Sequence, residues 1–302
     1  MKLSICIPTY NRIADLKICL VSVIGAINLL DSPDILEILI SDNASNDGTA
    51  EYIHSLPRTA SNYILHTWTN EFNVGGVCNV KKLMEAATGE YFLMLTDDDY
   101  LTPNALLTIY KYLDFGYDFI KTAVITNLIK SKSCSFYGTK EDLADTVHFE
   151  NFVEIMKFSH VLSGCIVRNR ASVLLAMKDS RNAYPSIEMC ALSAGKCISI
   201  AEPLVVHQWE NPISWEVDVD MSSESSRTRH LERDAQLALI HLDDSFFNIQ
   251  QARILCRFFL DRYGYIEPAI HEKFVKSATI ELKQFKRKQF LGNLARSFNL
   301  RR

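Results

Sequence analysis

Three consecutive carboxylates, Asp97, Asp98 and Asp99, follow directly on the apolar run YFLMLT. Like charges crowded at the end of a buried strand disfavour one another's ionisation, so the arrangement is costly unless a cation neutralises it. Hard divalent ions take oxygen ligands, usually a carboxylate or two completed by water and substrate phosphates. If strand alternation continues through this stretch, Asp97 and Asp99 point the same way. Asp97 is then expected to face a nucleotide ribose while Asp99 takes the metal. A solvated acidic turn ahead of a helix after Pro103 is the competing reading.

Three further polar clusters follow apolar runs. Asp42 comes after ILEILIS, where a carboxylate suits ribose hydroxyls or a base imide. The surrounding SDNASNDGT is also full of turn formers, so an Asx-turn or N-cap at Asp42 stays open beside the ligand role, with Asp47-Gly48 making the turn. Pro8, Thr9, Tyr10, Asn11 and Arg12 are placed to surround a base, Tyr10 as a stacking surface and Arg12 near phosphate. A plain surface charge is the alternative for Arg12. The segment NEFNVGGVCN supplies Asn73, Gly75, Gly76 and Asn79, whose adjacent glycines permit close backbone approach or positive φ. Neither a G-x-G-x-x-G fingerprint nor a P-loop G-K-[ST] occurs.

The elements that must position these residues alternate. Short apolar runs at 3–8, 35–41, 63–69 and 91–96 read as strands buried on both faces. Residues 15–30 carry a helical stripe of Leu16, Leu20, Val23, Ile24 and Ile27, and 47–56 and 78–88 read as shorter helices. Strand–helix alternation with short links predicts an α/β fold with a parallel sheet and right-handed crossovers. In such sheets ligands bind beyond the carboxyl ends of the strands, where all four polar clusters fall. Beyond residue 116 the pattern loosens: strands near 117–126, 161–168 and 197–206, helices near 149–157 and 186–195, a polar loop at 210–228, then helix to the end.

Composition bounds the class. The 302 residues are 48% hydrophobic and 23% charged, with a net charge of −4, ordinary values for a globular chain and no basic excess for nucleic acid. Eight scattered cysteines without a C-x-x-C pair read as small buried hydrophobes in a reducing compartment. No apolar stretch approaches the ~18 residues of a membrane span. A cytoplasmic location is expected. From Glu281 onward, seven Lys or Arg stand against one acid, a net of +6, beside an apolar stripe of Phe290, Leu291, Leu294 and Phe298. This basic C-terminal helix suits either the anionic inner face of a cell membrane or docking on the rest of the chain.

SICIPTYNR, SDNASNDGT, NVGG-x-x-N and LTDDDYL, in this order and spacing, resemble inverting family 2 glycosyltransferases of the GT-A fold. The likeness covers roughly residues 3–102 and weakens toward 210. It implies a GT-A Rossmann-like, mostly parallel sheet flanked by helices, with a helical C-terminal extension. The corresponding organisation is a domain over 1–210 (nucleotide-binding half 1–100, acceptor half 101–210), a loop at 211–228 and a helical region at 229–302. The resemblance also implies a nucleotide-sugar donor bordered by Pro8, Thr9, Tyr10, Arg12, Asp42, Asn73, Gly75, Gly76, Asn79, Asp97 and Asp98. The D-x-D element then binds Mn2+ or Mg2+ through Asp99.

An inverting transfer needs a base to take the acceptor hydroxyl's proton. Relatives carry it at the start of a helix, often as an E-D pair. Here NAYPSIEMCAL offers Glu188, which also suits a first-turn residue at a helix dipole, with Asp179 as the fallback. His207 matches a position where some relatives have a further metal ligand, and a structural histidine is the alternative. Trp209 or Trp215 are candidates to close over the donor. The Q-x-x-R-W signature of processive relatives is absent, so single addition to a polysaccharide or lipid-linked glycan is expected. A sugar nucleotidyltransferase and a non-catalytic carbohydrate-binding module are the rival readings.

Overall fold

The computed structural model describes residues 1–30, 34–128, 133–146, 148–159, 161–171, 173–174 and 185–208, with five helical positions between 253 and 260. Two compact units divide the chain, Met1–Glu224 and Ser225–Arg302. The first begins with β1 (Leu3–Thr9), α1 (Ile13–Leu29), β2 (Leu36–Asp42), α2 (Thr49–Ser55), β3 (Tyr63–Thr69), α3 (Gly76–Ala86) and β4 (Tyr91–Met94). It continues through β5 (Tyr100–Leu101), α4 (Ala105–Leu113), β6 (Phe119–Leu128), β7 (Ser133–Tyr137) and β8 (Leu143–Ala144). α5 (Glu150–Phe158), β9 (Cys165–Arg168), α6 (Pro185–Leu192) and β10 (Cys197–Gln208) complete the described elements. The loop and C-terminal helix expected at 211–228 and 281–302 lie outside the described residues.

One sheet runs in the order β3-β2-β1-β4-β9-β6-β10-β5. β1, β2, β3 and β4 pair in parallel, and β6 with β10 likewise. β9 is antiparallel to both β4 and β6. The sheet is therefore mostly parallel, and a reversed strand joins its two halves. β5, β7 and β8 are short antiparallel additions that periodicity did not reveal, being too brief to show alternation.

Alternate residues of the central strands feed two cores. Leu3, Ile5 and Ile7 of β1 and Tyr91 and Leu93 of β4 join Leu16, Leu20 and Val23 of α1 and Leu106 and Ile109 of α4 in one buried cluster. The opposite side of the same strands carries Cys6, Phe92 and Met94, also buried. All seven residues of β2 are buried, including two charged groups, Asp42 at the polar edge and Glu37 near the other end. The Glu37 carboxylate accepts from Ser4 Oγ at 2.5 Å, Thr88 N at 2.9 Å and Thr88 Oγ1 at 3.0 Å. Ser4 Oγ in turn accepts from Gly89 N, where a Cβ would stand only 2.7 Å away. This lock closes the sheet at the end opposite the polar clusters. Truncation leaves buried donors unmatched, so Glu37→Ala should cost about 2–4 kcal/mol, read as a lower urea midpoint.

Candidate functional site

The polar loops meet at the carboxyl edge of the parallel strands. Backbone pairing carries past the strand ends: Asn43 N donates to Thr9 O, Asn70 N to Asp42 O and Leu95 N to Cys6 O. Side chains then sew the first two loops together. Asn11 N donates to Ser45 Oγ, Asn46 N to Asn11 Oδ1, and Ile13 N to Asp47 Oδ2. Asn11 and Ala44 are the two non-glycine residues with positive φ among the described residues, at 52° and 64°. Local strain of this kind gathers where surrounding contacts over-determine a loop.

Asp42 is fully buried and accepts from Ser45 N and Ser45 Oγ, the turn-forming role its sequence neighbourhood suggests. Asp47 accepts from Thr49 N and Oγ1 at the start of α2. Behind β2, a ladder of amides fixes the glycine loop. Asn43 Nδ2 donates to Asn73 Oδ1 at 2.6 Å, and Val74 N and Asn70 Nδ2 both donate to Asn43 Oδ1. Asn79 Oδ1 accepts from Ser41 Oγ and Asn70 Nδ2, and its Nδ2 donates to Ser41 O. Both ends of the Asn79 amide are thus used inside the protein, where it orders the loop. Gly75 takes φ +83° at the start of α3, as the paired glycines suggested, and Gly76 opens that helix.

The acidic triplet departs from its expected geometry. The strand stops at Met94 and the chain turns at Asp97 and Asp98, so two-residue alternation no longer applies. Asp97 turns toward β1, accepting from Thr9 Oγ1 at 2.7 Å and Arg12 Nη1 at 3.0 Å. Asp98 accepts from the same Arg12 Nη1 at 2.9 Å. Asp99 turns instead toward β10, accepting from Gln208 N at 3.0 Å and Thr96 Oγ1 at 2.8 Å. His207 Nδ1 stands 3.0 Å from both Asp99 oxygens and must carry the proton, because a carboxylate only accepts. Asp97 and Asp99 therefore do not share one face.

Nor are the three charges left for an outside cation alone. Arg12 bridges two of them, with 14% of its side chain exposed, which removes the reading of a surface charge. Burial, opposed by Arg12 and reinforced by Asp98, pushes Asp97 up to about 7. Burial and the neighbouring Asp99 raise Asp98. Burial works upward on Asp99 too, but the His207 hydrogen bond and charge outweigh it and hold this carboxyl below its ordinary range. His207 rises for the reciprocal reason, despite burial pulling it down. Among the described residues one donor in the cluster has no match: Arg12 Nη2 is buried without a hydrogen-bond partner.

Among the described residues, no three Asp, Glu, His or Cys side chains converge to hold an ion by themselves. Asp99 and His207, a hard oxygen donor beside an imidazole, nevertheless suit Mn2+ or Mg2+ when water and ligand phosphates supply the remaining positions. Thr9 is buried beside this cluster, with Pro8 and Tyr10 half-buried next to it. Sequence reasoning placed Asp47 in its turn but missed Ser45, Thr96 and Ser163 as supports. Ser45 carries a turn signature, while the other two carry none. Glu188 lies on α6 but its side chain is outside the described set, as are Asp179, Trp209 and Trp215.

Comparisons with known proteins converge on one family. The profile described as glycosyl transferase family 2 matches residues 4–172. Abequosyltransferase RfbV of Salmonella typhimurium is 36% identical over 115 residues, 38% of this chain and 33% of that protein. The GalNAc(5)-diNAcBac-PP-undecaprenol beta-1,3-glucosyltransferase of Campylobacter jejuni is 32% identical over 116 residues, 38% of this chain and 36% of that protein. The matched stretch spans about a third of the length of these curated relatives. In fold, the chain resembles S. aureus TarS 1-349 in complex with UDP-GlcNAc, with a TM-score of 0.64 at 15% identity, covering 92% of this chain and 79% of that one.

Proposed function

Because the chain belongs to glycosyl transferase family 2, we propose that it is an inverting glycosyltransferase that moves one sugar from a nucleotide-diphosphate donor to an acceptor hydroxyl. The observation that carries this reading is the Arg12–Asp97–Asp98 bridge beside the Asp99–His207 pair, with a buried guanidinium nitrogen still lacking an acceptor. A diphosphate oxygen would satisfy that nitrogen, and a guanidinium suits phosphate geometry.

In this scheme residues 1–100 bind the donor and 101–210 the acceptor. Pro8, Thr9, Tyr10 and Asp42 border base and ribose, and Asn73, Gly75, Gly76 and Asn79 shape the loop beside them. Asp97 and Asp98 orient Arg12 toward the phosphates. Asp99 and His207 would hold Mn2+ or Mg2+, which when bound offsets the charge of the departing diphosphate. Glu188 accepts the proton of the acceptor hydroxyl as its oxygen bonds to the anomeric carbon. The bond from that carbon to the diphosphate oxygen breaks from the opposite face, which inverts the centre.

The Campylobacter relative's name specifies a PP-undecaprenol-linked glycan, which supports a lipid-linked acceptor here. Among the described residues no helix is long and apolar enough to cross a membrane. We assign membrane contact to the basic residues after Glu281, at the cytoplasmic face.

Thermal shift with UDP, GDP, dTDP and CDP, each with and without Mn2+, tests the donor class. Saturation at about a hundredfold over Kd adds roughly 2.7 kcal/mol, so one nucleotide should raise Tm by about 5 °C in the presence of the ion. No stabilisation by any of them would refute the reading. Pyrophosphate release from a nucleoside triphosphate would make the protein a nucleotidyltransferase instead.

A further inference from the structure

Lys121, in the middle of the sheet, is 1% exposed and ranks with Tyr91, Phe92 and Phe119 among the most deeply buried large side chains. A lysine so placed forfeits hydration and normally needs a carboxylate partner. None lies within ion-pair distance among the described residues. Its ammonium donates to Ser163 O at 2.6 Å. β6 carries Lys121 opposite Cys165 of β9 and Ser199 of β10, just behind the edge where Asp99 lies. Burial lowers its pKa, opposed first by Cys165 and then by the charge of Asp99.

The Ser163–Gly164 turn ties this ammonium to the acidic cluster. Ser163 Oγ accepts from Thr96 N at 2.9 Å and also contacts Thr96 Oγ1, which donates to Asp99. Gly164 has φ +78°, and a Cβ there would stand 2.2 Å from Thr122 Oγ1. The turn therefore packs directly on β6, presenting its carbonyl to Lys121, only because residue 164 lacks a side chain.

We propose that Lys121 is a positioning residue whose fixed positive charge, set behind Asp99 through Ser163 and Thr96, tunes the cluster toward the metal–diphosphate pair and against the metal alone. This rests on the donor-site reading above. A buried cation repels a divalent ion bound by itself and attracts the diphosphate that accompanies it, whereas a purely structural support strengthens both or neither.

The test is isothermal titration at pH 8 of the full chain with Mn2+ alone, then with inorganic pyrophosphate at saturating Mn2+. Lys121→Gln keeps a donor for Ser163 O without the charge, and Lys121→Met removes both. For unit charges in a partly buried site the effect is on the order of tenfold each way. Both variants should bind Mn2+ more tightly and pyrophosphate more weakly than the wild type, while Lys121→Arg stays near it. Losses in both affinities, no change in either, or failure of both neutral variants to fold would overturn the proposal. A wild-type protein that binds neither probe would sink the donor-site reading itself, and this proposal with it.

Discussion

Asp99→Asn should lower sugar transfer by roughly a thousandfold, the scale seen when one preorganised electrostatic stabiliser is removed from an active site. The substitution keeps shape and leaves an oxygen for Gln208 N, so the fold should persist. What disappears is the negative charge facing His207, along with the acceptor pattern that only a carboxylate provides: His207 Nδ1, Thr96 Oγ1 and Gln208 N all converge on this one group. An amide turned to accept from Gln208 presents its NH2 toward the remaining donors. Stabilisation by nucleoside diphosphate in the presence of Mn2+ should be lost together with transfer, while far-ultraviolet circular dichroism stays native. Transfer at the wild-type rate would remove Asp99 from the chemistry.

Arg12→Ala is the second large effect, and it acts on stability and on binding. One guanidinium nitrogen serves both Asp97 and Asp98, whose side chains are 4% and 9% exposed. Removing one partner of a buried charge cluster typically costs about 3–5 kcal/mol. The deficit should grow with pH. Asp97 already titrates at about 7 in the folded chain, far above its unfolded range, so its contribution is present at low pH and lost as pH rises through that value. Without Arg12 the folded value climbs further and the loss continues to higher pH. Urea unfolding at pH 5 and pH 8 should therefore show a larger gap between variant and wild type at pH 8. Donor stabilisation should also fall, because the nitrogen left unmatched in the free protein goes with it. A gap independent of pH would argue that Arg12 does not counter these carboxyls.

The first half of the fold was legible because its signals are local. Strands buried on both faces are short apolar runs, the helices between them carry apolar stripes, and β3 emerged at the bounds expected, Tyr63–Thr69. The second half was less so. β9 reads as a strand but nothing in CIVR says that it runs against its neighbours. The acidic triplet shows the same limit at the site. Its chemistry was visible, but the alternation rule failed once the backbone turned at Asp97.

Sequence alone determined the order of strands and helices over the first hundred residues, the α/β class and the edge on which the polar loops gather, since each follows from periodicity and turn chemistry within a few residues. Only the tertiary structure decided how the charges at that edge are matched. Arg12 reaches Asp97 across 85 residues, His207 reaches Asp99 across 108, and Lys121 lies behind them on a strand that carries no motif. The reason is that electrostatic neutralisation depends on distance in space. The strand order β1-β4-β9-β6-β10 sets those distances, and no local pattern encodes it.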